Sequence, residues 1–190
     1  MAHGITPSQT VGPYFAIGLI DGVARTELVP ADSPGAIVIE GSVFDGAGDP
    51  VPDSIVEIWQ ANAAGRYAHP DDPRDDLPLD EGFTGFGRSG CEPDGRFRFV
   101  TVKPGPVPWP EGGFQAPHVV VGVFARGLLK RLQTRIYFPD EEEANAADPV
   151  LGLIADADER ATLVAREEED GVLRFDIHLQ GDRQTAFFDV

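Results

Sequence analysis

The sequence predicts an all-β fold, a β-sandwich of mainly antiparallel strands with long loops and one or two short helices. Three observations predict it. The 190 residues include 22 Gly and 17 Pro, a density of turn formers that suits short strands joined by many turns. Twelve Phe stand against one Met, with few long helical patterns. The apolar residues also recur with period two, the repeat of a half-buried strand. With 42% hydrophobic residues the chain can bury a real core, and residues 1–190 are read as one domain.

The elements follow in order. "AIVIEGSVFD" (36–45) and "DSIVEIWQ" (53–60) are β-branched runs separated by the turn formers of "GAGDPVP", and they read as neighbouring strands. Residues 66–94 are rich in Pro, Asp and Gly without periodicity, a long irregular segment of the kind that is functional or packed on a partner. "GRFRFVTV" (95–102) puts Phe97 and Phe99 on one face and Arg96 and Arg98 on the other. "GGFQAPHVVVGVFARG" (112–127) is a turn running into a buried strand that opens on His118. In the strand of "RLQTRIYF", Arg131, Gln133, Arg135 and Tyr137 alternate with Leu132, Thr134, Ile136 and Phe138. "PDEEEANAADPVLGLI" and "DADERATLVA" each start with acids, which favour a helix N-terminus, and predict two short helices. "VLRFDIHLQ" (172–180) turns Leu173, Phe175, Ile177 and Leu179 inward and leaves His178 on the polar side as a solvated residue.

Charge and cysteine usage narrow the function. The net charge of −17 repels phosphate backbones and anionic membrane surfaces, so neither nucleic acid nor membrane is an expected partner. Cys91 is the single cysteine, which excludes an internal disulfide or a thiolate cluster, and its turn-like setting reads as an inert thiol. No apolar run approaches the roughly 20 residues that span a bilayer. "MAHGITPSQT" has no basic start and no apolar run, and the expected location is the cytoplasm.

The chain carries no nucleotide-binding glycine loop after a strand, no metalloprotease helix motif, no nucleophile elbow and no paired cysteines. What remains is Tyr67 in "NAAGRYAHPDD", the turn "VKPGPVPW" (102–109) and His118. The strings "EIWQANAAGRYAHPDD", "GFGRSGCEPDGRFRFVTVKPGPVPW", "APHVVVGVFARG" and "TRIYFPDE" resemble the intradiol ring-cleavage dioxygenases, and the likeness runs from "TPSQTVGPYF" to "DIHLQGDRQTAFFDV". Catalytic members of that family hold Fe(III) with two tyrosines and two histidines, hard donors suited to that ion. The resemblance makes Tyr67 the first tyrosine and His118 the first histidine. The other two positions carry Val107 and Val120. Positions 118 and 120 of a strand aim at one side, so the second valine removes a ligand from the same metal.

The resemblance is greatest to members made of two homologous chains, an iron-binding β chain and an α chain with a degenerate site. It therefore implies that this chain contributes no catalytic residue and no metal ligand of its own, and that Fe(III) sits in a partner β subunit. Substrates so implied are protocatechuate and O2, with 3-carboxy-cis,cis-muconate as product. Residues 1–35 would form an N-terminal arm packing on the partner, and Thr10, Gly12, Pro13, Tyr14 and Arg135 would line the partner's substrate pocket. The window 126–135 adds weight for Arg135, because it holds Arg126, Lys130, Arg131 and Arg135 in an acidic chain, and a cationic patch attracts an anionic aromatic acid. Two alternatives remain open from the residues. One is a non-catalytic β-sandwich binding module. The other is an iron enzyme using a rearranged set from Tyr14, Tyr67, Tyr137, His69 and His118. Tyr67 and His118 also have plain structural readings, a tyrosine packed under the long loop and a hydrogen-bonded histidine at a strand start.

Overall fold

The structure is a computed structural model and describes residues 12–189. A short helix α1 (Pro13–Leu19) leads to strand β1 (Ala36–Phe44), β2 (Ile55–Trp59), β3 (Phe86–Gly90) and β4 (Arg96–Val102). A small hairpin of β5 (Val107–Pro108) and β6 (Phe114–Gln115) precedes the long strands β7 (His118–Phe124) and β8 (Leu132–Tyr137). Helix α2 (Glu142–Ala147), a 3-10 turn at Leu151–Leu153 and helix α3 (Ala157–Ala161) follow, then the short strands β9 (Arg166–Glu167), β10 (Leu173–Arg174) and β11 (Ile177–His178).

Two sheets enclose the core, as the period-two patterns require. One is antiparallel throughout, in the order β3-β2-β7-β8. In the other, β1 is central, antiparallel to β4 and parallel to β10 and β11. Ile39, Val43, Phe97, Phe99, Phe175 and Ile177 from this sheet meet Val56, Ile58, Val119, Val121 and Ile136 from the first, each at most 2% exposed. Each such side chain contributes about 1.5–3 kcal/mol by leaving water, which makes this seam the main source of stability.

The sandwich and both predicted helices are present, with three differences from the sequence reading. β1 and β2 are strands but not neighbours, since each belongs to a different sheet. The turn between them carries the chain across the sandwich, and local composition does not distinguish that from a hairpin. Inside the supposedly irregular stretch, β3 pairs with β2 along its whole length. Its glycines lowered the strand signal, yet a Cβ at Gly87 would crowd Ile58, Leu28 and Phe99, so the packing requires the glycine. Residues 172–180 form two short strands instead of one. Between them Ser42 N donates to the Asp176 carboxylate at 3.1 Å, and Gly41 lies so close to the Phe175 carbonyl that no side chain fits.

Inward and outward assignments on the two best patterned strands hold. Phe97 and Phe99 are buried, Arg96 and Arg98 exposed. His178 lies partly exposed and stacks on Phe44 with ring centroids 5.0 Å apart. Within the expected arm, Arg25 bridges to Arg88 of β3 and Glu27 to Val100 of β4. Those residues clasp the margins of both sheets of this chain.

Candidate functional site

The site begins with a turn built by one side chain. Asn62 Oδ1 accepts from the backbone of Ala64 at 3.1 Å and Arg66 at 2.9 Å, while its Nδ2 donates to Pro78 O at 2.9 Å. The Asn62 carbonyl takes the N–H of both Gly65 and Gly105, each at 2.9 Å. Gly65 has φ +83°, and a Cβ there would overlap the Pro106 carbonyl. These two glycine turns approach closely, and the Tyr67 and Val107 that follow them line one cleft. Tyr67 lies parallel to Trp59, the last residue of β2, with ring centroids 5.8 Å apart and 7° between planes.

The second half of the site is one face of the four-stranded sheet. Directly paired residues share a face, and here Val120 stands between Trp59 on one side and Arg135 on the other. His118 pairs with Tyr137 two residues along. Trp59, His118, Val120, Arg135 and Tyr137 therefore point away from the core seam, toward Tyr67 and the β5–β6 hairpin. His118 is 4% exposed, and its Nδ1 sits 2.8 Å from Ala116 O, so Nδ1 carries the proton in the neutral ring. Burial chiefly, with the Arg135 charge adding to it, lowers the His118 pKa to about 4. Burial raises the Tyr67 phenol above its ordinary value, opposed by Arg135 and Arg74.

Arg135 is the hub of this face. Its Nη1 donates to Gln115 Oε1 at 2.9 Å and to the Tyr137 hydroxyl at 3.3 Å. Gln115 is oriented by donating through Nε2 to Pro108 O at 3.2 Å. Tyr137 is 0% exposed, and its hydroxyl donates in turn to Asp148 Oδ1 at 3.1 Å. The Asp148 carboxylate is buried and held by three backbone N–H groups, those of Ala116 at 2.8 Å and of Val150 and Leu151 at 2.9 Å each. Phe188 places its ring 5.9 Å from the guanidinium carbon. Nε and Nη2 of Arg135 have no acceptor among the described residues, which leaves them available to an anion.

Trp59, Tyr67, His69, Arg74, Val107 and Gln115 help line a cleft of about 650 Å³. Arg74 is neutralised there by a two-point ion pair with Asp72. The four positions that hold ferric iron in the resembling family supply two donors and two sets of methyl groups. Burial keeps one donor, the Tyr67 phenol, protonated, and the positive charge of Arg135 acts on both Tyr67 and His118. A ferric ion needs anionic oxygen donors and no competing cation, so the residues present do not fit it.

The remaining candidates are dispersed. Thr10 lies outside the described residues. Gly12 is exposed and borders a hollow with Phe15, Asp53, Cys91 and Arg126. Pro13 and Tyr14 open α1. The cationic window does not act as one patch, because Arg126 pairs with Asp53 at 3.1 Å, Lys130 with Asp189 at 2.7 Å, and Arg131 turns to Gln133. Only Arg135 of the four enters the site. Gln115 and Asp148 escaped the sequence reading. Asp148 precedes a proline at the end of α2 and reads locally as a helix stop, and nothing nearby in sequence marks its contacts with Ala116 and Tyr137.

Comparison with known proteins accords with this geometry. The family described as Dioxygenase matches residues 11–181. The protocatechuate 3,4-dioxygenase alpha chain of Burkholderia cepacia is 46% identical over 200 residues, covering 97% of both chains. The beta chain of the same enzyme from that organism is 40% identical over 154 residues, covering 76% of this chain and 64% of its own length. Among solved structures, the dioxygenase domain of a dioxygenase carbohydrate-binding protein fusion from Streptomyces sp. SirexAA-E is similar, at 27% identity with a TM-score of 0.59 over 83% of this chain and 88% of that one.

Proposed function

The chain belongs to the intradiol ring-cleavage dioxygenase family, and from that premise we propose that it is the alpha subunit of a protocatechuate 3,4-dioxygenase, completing the active site of a homologous, iron(III)-binding beta subunit in the cytoplasm. The pair cleaves protocatechuate with O2 to 3-carboxy-cis,cis-muconate. Iron-dependent chemistry is the family's, and in this reading the iron belongs to the partner.

One observation carries the reading. Of the two positions that fail as ligands, Val107 lines the same cleft as Tyr67, and Val120 lies two residues from His118 on the same face of β7. The fold of the family is kept while the means of binding iron is gone, so activity requires a second chain. The contribution of this chain to substrate is assigned to Arg135, with Thr10, Gly12, Pro13 and Tyr14 of the N-terminal arm. Arg135 suits the role because Nη1 anchors it while Nε and Nη2 have no acceptor among the described residues and can meet a carboxylate.

The test is co-production with the beta chain, metal analysis of each chain, and kinetics of Arg135→Ala in the assembled complex. A charge-assisted hydrogen bond worth about 1.5–3 kcal/mol predicts a loss in kcat/KM for protocatechuate of roughly tenfold to a hundredfold. Catechol, which lacks the carboxylate, should lose less. Stoichiometric iron in the isolated alpha chain, or wild-type kinetics in a fully assembled Arg135→Ala complex, would refute the assignment.

A further inference from the structure

Arg135 is a long side chain on a half-exposed strand face, and such a guanidinium samples many rotamers unless something fixes it. Here both protons of Nη1 are committed, one to Gln115 and one to Tyr137. The Tyr137 hydroxyl cannot rotate away, because its own proton is directed to Asp148 at 3.1 Å, which turns its lone pair toward the guanidinium. Asp148 cannot rotate either. Three backbone N–H groups from two separate segments, residue 116 before β7 and residues 150–151 after α2, hold its carboxylate in place. The series Asp148, Tyr137, Arg135 thus runs from a buried anion to a cation that is bonded to Gln115 of the cleft wall, and each bond polarises the next.

We propose that Tyr137 and Asp148 are positioning residues that fix the Arg135 guanidinium for recognition of the substrate carboxylate. The inference rests on the functional reading above and deepens it. Tyr137 and Asp148 are 0% and 2% exposed, so neither reaches a ligand, and their effect on one passes through Arg135. Burial raises the Tyr137 phenol well above its ordinary value, which keeps its proton in the bond to Asp148 throughout the working pH range. A second strut comes from the hairpin, where Gln115 presents its carbonyl oxygen to Nη1 while its amide nitrogen is tied to Pro108.

The experiment uses the assembled alpha–beta complex with iron content and assembly measured for every variant. Tyr137→Phe removes the hydroxyl and keeps the ring. The expected result is a threefold to tenfold rise in KM for protocatechuate, kcat within twofold of wild type, and a smaller rise in KM for catechol. Asp148→Asn should give the same pattern to a lesser degree, and it serves if Tyr137→Phe fails to assemble. In the double variant with Arg135→Ala, the Tyr137→Phe effect should vanish, since nothing remains to position. If Arg135→Ala impairs protocatechuate turnover but Tyr137→Phe and Asp148→Asn do not, the positioning role is wrong and the functional reading stands. If Arg135→Ala itself has no effect, the functional reading fails first. Equal losses on catechol and protocatechuate in Tyr137→Phe would mark a general structural defect and overturn the proposal.

Discussion

Acidification should destabilise this chain through His118. The folded-state pKa of about 4 lies below the ordinary 6.5 because the ring is 4% exposed and faces the charge of Arg135. Between those two values the unfolded chain binds the proton and the folded chain does not, so falling pH favours unfolding. The stabilisation is complete above about pH 6.5 and is lost progressively toward pH 4. At about 1.36 kcal/mol per pH unit over that interval, the difference amounts to about 3 kcal/mol, a substantial part of the 5–15 kcal/mol typical of a domain. The groups facing the ring set the remaining balance, with the bond to Ala116 O and the Asp148 charge both opposing the shift. Urea denaturation at intervals from about pH 7 to about pH 4.5 reads the slope, with His118→Asn as reference. The lower limit stays above the range where Asp72, whose carboxyl is held low chiefly by its hydrogen bonds from Arg74, begins to contribute. His178 is shifted the same way by burial and is present in both proteins, so it cancels in the difference. Wild type should lose stability steeply with acid and the variant less so. Parallel profiles would refute the assignment of the slope to His118.

Two further predictions address the surroundings. Gly65→Ala imposes a side chain at φ +83° and against the Pro106 carbonyl, and should cost about 2–4 kcal/mol, a fall in Tm of roughly 5–15 °C by calorimetry; a fall under about 2 °C would mean that the two turns separate easily. Cys91, pushed up to about 11 by burial against the opposing Ser54 hydrogen bond, should react with a disulfide reagent at pH 8 about a hundredfold more slowly than the unfolded chain, and equal rates would contradict the burial.

How much was legible follows the range of each interaction. Alternation in 95–102 and 132–137 is a local property, so facing and strand identity were read correctly. Pairing is not local. The turn "GAGDPVP" is compatible with a hairpin or with a crossing between sheets, and only the burial of Ile39 and Val56 in one core formed by both sheets chooses the second. β3 was hidden because Gly87 serves tertiary packing at the expense of strand propensity. In the site, the loss of two metal donors was visible as two valines, since a ligand is a residue type at a position. Asp148 was not visible, because its role consists of contacts with residues 116, 137, 150 and 151 that only folding brings together.

The parallel pairing of β1 with the last strands also sets an order in time. Ser42 meets Asp176 across 134 residues of sequence, and the flanking pairs Ile39 with Leu173 and Val43 with Ile177 keep the same offset. A ribosome adding about 5–20 residues per second takes roughly seven to thirty seconds to supply that length. β4 can close one margin of β1 earlier, since its paired residues lie 54 to 66 positions along the chain, from Ser42 with Arg96 to Ala36 with Val102. The other margin stays unpaired until the closing strands emerge, so the five-stranded sheet is completed late in synthesis. Until then its hydrogen-bonding groups are open to a chaperone or to a neighbouring nascent chain.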